Sequence, residues 1–193
     1  LSVYTFIMED IAFKQSMIKT QQREALVGSA LARYFDCSIR FNESEDLRKY
    51  DYILYSSEKG YCFRCEQQDD KVCKSTNGTL YFEQCTFNKD GTTKDGKLIY
   101  TKAQKFVYIL NNLKQILILD VKLIRNLVSV YQNAGVLETT MPGDFEAWVK
   151  KHDTLPTHGV LLPYEDVLLN DPKAKIFTYD QLSISTSQYL SLQ

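Results

Sequence analysis

The sequence predicts an α/β domain of the α+β type, in which a central mixed sheet with an antiparallel meander is flanked by helices. Three features indicate this class: a long helical periodicity near the N-terminus, a series of short β-rich segments separated by turn residues, and a later strand-to-helix transition. With 193 residues, 44% hydrophobic and 24% charged, the chain has the size and composition of one folded domain, expected to span residues 1–193.

The first predicted element is an amphipathic helix over residues 9–34. Apolar residues such as Met17 and Leu31 recur there at helical spacing. Glu24 departs from the pattern, because it lies seven residues from both of them and therefore on or beside the buried stripe. A carboxylate in that position needs a partner or a metal ion.

Short strands follow, separated by turn residues such as those at 56–60 and 75–78. We expect the first three to form an antiparallel meander. The predicted strands cover residues 50–55, 61–68, 80–86, 106–110 and 115–120.

The remaining elements are predicted from turn and helix signals. Residues 101–104 could form a short helical turn, and residues 121–131 show helical spacing that Gly135 would end. Beyond them we expect a helix over 141–148, a last edge strand over 159–163 and a helical turn over 164–169.

Composition restricts the possible functions. The chain has no apolar run of the roughly 18 residues that a membrane-spanning helix needs, and no signal-peptide pattern. Its five cysteines, an odd number, favour free thiols in a reducing, intracellular compartment, so a cytoplasmic location is expected. The net charge of −1 limits nucleic-acid binding to a local surface, such as the basic segment 89–125, which could also be a solvated surface.

Acidic residues fall at positions whose neighbours look buried. Glu66 and Gln68 project from the same face of one predicted strand, because side chains alternate along it. Asp51 begins the preceding strand, and Glu83 lies in an apolar and aromatic run. Together with Glu24 they would form a cluster of like charges, which is unfavourable unless a cation neutralises it. Oxygen ligands of this kind suit Mg²⁺ or Mn²⁺, and such ions assist phosphodiester hydrolysis.

The order of these residues resembles the PD-(D/E)XK nuclease superfamily, especially its junction-resolvase-like and phage-type members. The similar features are helix-borne Glu24, Asp51 at a strand start, and Glu66-x-Gln68 on the next strand. Residues 95–109 are also similar to a Ser-Gly-Ile-x-x-Thr-Lys-Ala-Asp-Tyr pattern found in some members, and residues 159–163 to their late edge strand. Gln68 stands where the family usually has Lys, and Gln104 where the pattern has Asp.

The resemblance implies a restriction-endonuclease-like fold and a Mg²⁺- or Mn²⁺-dependent endonuclease acting on DNA. A homodimer is one assembly that it implies. Asp51 and Glu66 would bind the metal, Gln68 would complete the catalytic site, and Glu24 would be an outer ligand or position water. Glu83 is a further candidate metal ligand. The expected phosphate contacts are Lys97, Lys102 and Lys105.

Several alternatives stay open. Lys71 could take the role of the missing lysine, or the site could be degenerate, leaving a module that binds nucleic acid or a protein. Glu24 could be a half-exposed helix residue, Asp51 and Glu66 solvent-facing strand charges, and Glu83 a salt-bridge partner of a nearby cation such as Arg64.

The cysteines and histidines provide weaker candidates for a metal site. Zinc could bind Cys62 and Cys65 with two downstream thiols, but a continuous strand would point these two residues to opposite faces. His152 and His158 are predicted to be loop residues.

Overall fold

The computed structural model describes residues 3–42, 50–69, 78–134 and 156–192, with backbone only for residues 3–14 and 16. A 3₁₀ turn over Asn111–Leu113 joins two of the strands. In chain order the helices and strands are α1 (Val3–Phe35), β1 (Ser38–Phe41), β2 (Tyr52–Ser56), β3 (Tyr61–Asp69), β4 (Thr79–Phe87), β5 (Thr93–Asp95), α2 (Lys97–Tyr100), β6 (Lys105–Leu110), β7 (Gln115–Asp120), α3 (Val121–Asn133), β8 (Thr157–Pro163), α4 (Tyr164–Asn170), β9 (Lys175–Thr178) and α5 (Thr186–Ser191).

The main sheet is mixed and has six strands in the order β1-β2-β3-β6-β7-β9. Its β3–β6 pair is parallel, and each of the other neighbouring pairs is antiparallel. A second, antiparallel sheet has the order β5-β4-β8. The predicted fold class, a mixed sheet with a meander and flanking helices, is confirmed.

Hydrophobic residues pack on both faces of the main sheet, because its central strands are apolar on each side. On one face, Val27 and Leu31 of α1 contact a cluster that includes Tyr52 and Val107. On the other face, α3 and the second sheet cover a cluster that includes Phe106. The sheet is therefore a buried layer, and β3 contributes Cys65 to the cluster under α1.

The predicted meander was partly wrong. The strands predicted at 50–55 and 61–68 are the antiparallel neighbours β2 and β3, but the third member is β1, which the sequence analysis missed. The edge of β3 that β4 was expected to join is taken by β6. Instead, β4 packs across the sheet face, where Phe82 lies 5.8 Å from Phe106 and 5.5 Å from Tyr108 between ring centroids.

Most other predicted elements are present within a residue or two of their expected ends, but the long N-terminal helix begins six residues earlier than predicted. The long N-terminal helix, the strands at 106–110 and 115–120, the helix at 121–131 and the helical turn at 164–169 are confirmed. The edge strand at 159–163 is β8, at the edge of the second sheet, but β9 and α5 follow it. The turn expected at 101–104 occurs earlier, as α2. Gly135 and the helix predicted at 141–148 lie outside the described residues.

None of the helices described has both the length and the apolar character needed to cross a bilayer.

Candidate active site

Three of the predicted carboxylates meet where α1 passes the ends of β2 and β3. Asp51 directly precedes β2, and its Oδ2 accepts a hydrogen bond of 2.5 Å from the backbone N–H of Gln67. Its own N–H donates to the carbonyl of Cys65 at 2.9 Å. Because Cys65 and Gln67 flank Glu66 in β3, these two hydrogen bonds fix Asp51 beside Glu66.

Glu24 reaches the same place from α1, which an adjacent ion pair fixes against β3. Arg23 Nε lies 3.1 Å from Asp69 Oδ2, and both side chains are largely buried. The hydroxyl of Tyr189 also donates to Asp69, so α5 contributes to the same anchor. The helix position that looked anomalous in the sequence is therefore a position beside the ends of two strands.

The pKa values of the three carboxyl groups reflect burial and mutual repulsion. Glu66 is 1% exposed, and desolvation, with repulsion from Asp51, raises its pKa to about 7 against the pull of Lys97. Desolvation, followed by repulsion from Asp51, raises the pKa of Glu24 to about 8. Desolvation also raises the pKa of Asp51, which Lys97 and the Gln67 N–H oppose. The simpler explanation of Glu66 as a solvent-facing strand charge is excluded.

Lys97 is the cation of this cluster. Its Nζ lies 3.1 Å from Glu66 Oε1 and donates to the carbonyl of Gln67 at 2.9 Å. The attraction of Glu66 and Asp51 raises the pKa of the Lys97 ammonium, although burial opposes this. Within the described residues, neither Glu24 nor Asp51 has a cation at ion-pair distance.

Thr101 is the second residue that contacts the carboxylate of Glu66. Its hydroxyl donates to Glu66 Oε2 at 3.1 Å, so each oxygen of the carboxylate is held by a different residue of one chain turn. Lys97 and Thr101 are four residues apart, which places them on the same side of a helical turn. Thr101 is not among the predicted site residues, and Lys97 was predicted to contact phosphate because it lies in the basic segment 89–125.

Gln68 serves as a link between the two sheets. Its Nε2 donates to the carbonyl of Tyr81 on β4 at 2.8 Å, and its Oε1 is buried without a hydrogen-bond partner among the described residues. The amine next to Glu66 thus comes from α2, and not from β3 as the family pattern implies. Lys71 lies outside the described residues.

Glu83 lies beside the cluster. Its Oε1 accepts a hydrogen bond from Thr86 at 3.1 Å, and burial raises its pKa while this hydrogen bond and the charge of Lys97 lower it. The charges that chiefly shift the pKa values of Glu24, Asp51 and Glu66 do not include Glu83. The predicted partner Arg64 forms no ion pair with it in the described part of the chain.

The other predicted phosphate contacts lie in different surroundings. Lys102 is exposed. Lys105 Nζ is 3.2 Å from Asp120 Oδ2 and 5.7 Å from the ring centroid of Phe63, so its charge is already paired. Of the two side chains, that of Lys102 is the more exposed.

The cysteines that the structure describes do not form a zinc site. Cys62 is exposed and Cys65 is buried, as expected for opposite faces of one strand, and both are free thiols, as are Cys37 and Cys85. Across residues 3–42, 50–69, 78–134 and 156–192, no three His, Cys, Asp or Glu side chains form a ready-made metal site. His158 lies in β8 rather than in a loop, opposite Cys85, while Cys73 and His152 are outside these ranges.

Compared with known proteins, the chain matches no family model, no curated protein and no solved structure.

Proposed function

We propose that this chain is a divalent-cation-dependent nuclease that hydrolyses DNA phosphodiester bonds at the cluster of Glu24, Asp51, Glu66 and Lys97. The observation that carries the proposal is that three carboxylates from separate backbone segments lie close enough for the charge of Asp51 to raise the pKa values of Glu24 and Glu66, with Lys97 paired to Glu66. Buried like charges are costly, and a fold that needed only stability would place apolar residues there. Strongly shifted pKa values at one place are typical of functional sites.

The charges of the cluster favour a divalent ion. With every group ionised, three carboxylates and one ammonium leave a net charge of −2 at a place where Glu66 is buried and Glu24 and Asp51 are half-buried. Carboxylate oxygens are the ligands that Mg²⁺ and Mn²⁺ prefer, so the donor set fits such an ion. Asp51 and Glu66 would hold it, with Glu24 as an outer carboxylate, although the side chains do not form a ready-made site without it. When bound, the ion supplies positive charge for the phosphate and lowers the pKa of water.

The chain's own residues supply the remaining functions. Lys97 stays protonated in the field of the carboxylates, so it can donate hydrogen bonds to a phosphate oxygen or orient the attacking water. Glu24, with its pKa raised to about 8, can accept or return a proton near neutral pH. The order of Glu24, Asp51 and Glu66 along the chain supports the resemblance to PD-(D/E)XK nucleases, with Lys97 in the place of the lysine that Gln68 replaces.

The test is metal-dependent cleavage of duplex, single-stranded and branched DNA. Wild type should cleave at least one of these with Mg²⁺ or Mn²⁺. Glu66→Gln and Lys97→Met should each lower the rate by roughly 100-fold or more. The matched controls are Glu58→Gln and Lys173→Met, which change exposed residues of the same type outside the basic segment 89–125 and should leave the rate unchanged. Equal background cleavage by wild type and Glu66→Gln on every substrate would remove the enzyme proposal.

A second candidate function is a catalytically degenerate module with the same fold that binds nucleic acid or a protein partner. Two contacts favour it: Lys97 already neutralises part of the charge on Glu66, and Gln68 is engaged with Tyr81. Titration calorimetry separates the two functions. DNA binding without any divalent-ion binding supports the module, whereas stabilisation of the fold by Mn²⁺ supports the nuclease.

A further inference from the structure

Arg125 on α3 binds the backbone of the chain turn that carries Lys97. Its Nε donates to the carbonyl of Leu98 at 2.8 Å, and one terminal nitrogen donates to the carbonyls of Ile99 and Thr101 at 3.2 and 2.8 Å. No carboxylate lies within ion-pair distance of Arg125 in the described part of the chain. Its hydrogen bonds are therefore directed at one short backbone segment.

That segment needs an external support. Helix α2 has only four residues, and a helix this short leaves its last carbonyls without partners inside the helix. The turn is closed by the N–H groups of Ile99 and Tyr100 bonding to the Gly96 carbonyl, at 2.9 and 3.2 Å, and by Thr101 N–H bonding to Lys97 at 3.2 Å. Isolated turns of this length are unstable in water, because nucleation costs more than one or two bonds return.

We propose that Arg125 is a positioning residue for the candidate active site, holding the turn 97–101 so that Lys97 and Thr101 together grip the carboxylate of Glu66. This inference rests on the proposed function for its catalytic consequence. The guanidinium suits the task because its planar fork satisfies several carbonyls at once, whereas the ammonium of a lysine is a single point donor. Helix α3 provides a rigid base, since Ile124 and Val128 on either side of Arg125 are buried in the core.

The catalytic test compares Arg125→Ala and Arg125→Lys with Lys173→Met, which changes an exposed basic residue outside the segment 89–125. Loosening the turn misplaces Lys97 but removes no side chain that the proposed function places against DNA. We therefore expect kcat to fall roughly 10- to 100-fold in Arg125→Ala with KM for DNA within about threefold, and added guanidinium to restore part of the loss. Arg125→Lys should retain less activity than Arg125→Ala regains with added guanidinium, because a lysine lacks the planar guanidinium group. A rise in KM alone, or equal effects in Lys173→Met, would overturn the inference.

Amide hydrogen exchange tests the same inference without catalysis. The N–H groups of Ile99, Tyr100 and Thr101 close the turn, so their exchange should become roughly tenfold faster or more in Arg125→Ala but not in Lys173→Met, while amides of β6 keep their protection. Faster exchange in a protein whose wild type cleaves no DNA would refute the proposed function and leave the positioning role standing. Unchanged exchange at these three amides would refute the positioning role, whatever the wild type cleaves.

Discussion

Replacing Glu66 with glutamine should make the protein more stable at alkaline pH while abolishing its proposed activity. Glu66 is 1% exposed, and its pKa in the folded chain is raised from 4.5 to about 7, chiefly by burial. The folded state therefore binds the proton more tightly than the unfolded state does. Stability from the protonated carboxyl is fully present below pH 4.5 and is lost as the pH rises through about 7.

The size of the effect follows from the two pKa values. At about 1.4 kcal/mol for each pKa unit, the interval from 4.5 to about 7 corresponds to roughly 3 kcal/mol of lost stability once Glu66 is ionised in both states. Glutamine imitates the neutral carboxyl and can still accept from Lys97. The variant should thus match wild type at about pH 4 and exceed it by about 3 kcal/mol at about pH 8.5.

Urea denaturation at these two pH values measures the free energy of unfolding of Glu66→Gln, wild type and Glu58→Gln. The exposed control should differ from wild type by under ~0.5 kcal/mol at either pH. A difference for Glu66→Gln that does not change with pH, or a variant less stable than wild type at about pH 8.5, would refute the description of Glu66 as a buried, repelled carboxylate.

Further predictions concern the ion, the turn and the DNA surface. Mn²⁺ affinity measured by calorimetry should rise roughly tenfold or more between about pH 6 and about pH 8, with proton release on binding, because Glu24 and Glu66, with pKa values of about 8 and about 7, must lose protons; a flat profile would contradict this. Gly96→Ala should lower the free energy of unfolding by about 1–3 kcal/mol and reduce cleavage, since an added Cβ would lie 2.7 Å from the backbone carbonyl carbon of Gln84; unchanged melting and rate would show that α2 does not depend on this contact. Lys102→Ala should weaken DNA binding and reduce its salt dependence by about one ion, as measured by fluorescence anisotropy at several salt concentrations; an unchanged slope would place the DNA elsewhere.

The carboxylates could be predicted from the sequence because each breaks a local pattern. Glu24 interrupts an apolar helical stripe, and Glu66 shares the alternation of a strand whose neighbouring positions are buried. Such departures are visible in one dimension, because burial of a side chain follows the period of its own element. The structure confirms that Glu66 is buried and that Glu24 lies near Asp51.

Lys97 and Thr101 could not be placed, because their role depends on where a single turn begins. The turn was predicted at 101–104, whereas the structure has it at Lys97–Tyr100. An offset of four residues changes which side chains the turn directs towards Glu66. The useful signal was the Asp95-Gly96 pair, since Gly96 lies too close to the backbone of β4 for a side chain. With the turn starting at that glycine, the spacing of four residues would have pointed Lys97 and Thr101 the same way.

The pairing of β4 was predicted incorrectly for a different reason. A strand with alternating apolar residues can pair at the edge of one sheet or belong to a second sheet that packs on the face of the first. The alternation of its residues does not indicate which of the two occurs. The parallel pair of β3 and β6 requires a connection that leaves the sheet and returns, and here that connection contains β4, β5 and α2. The short strand β9, with one buried residue, offered too little pattern to be recognised.

Crystals grown with Mn²⁺ and measured for anomalous scattering would test the proposed cation site most directly. We predict one anomalous peak in contact with carboxylate oxygens of both Asp51 and Glu66, absent from crystals of Glu66→Gln grown in the same solution. A difference map without a peak between these residues, with Glu66 held only by Lys97 and Thr101, would contradict the proposal that the cluster exists to bind a divalent ion.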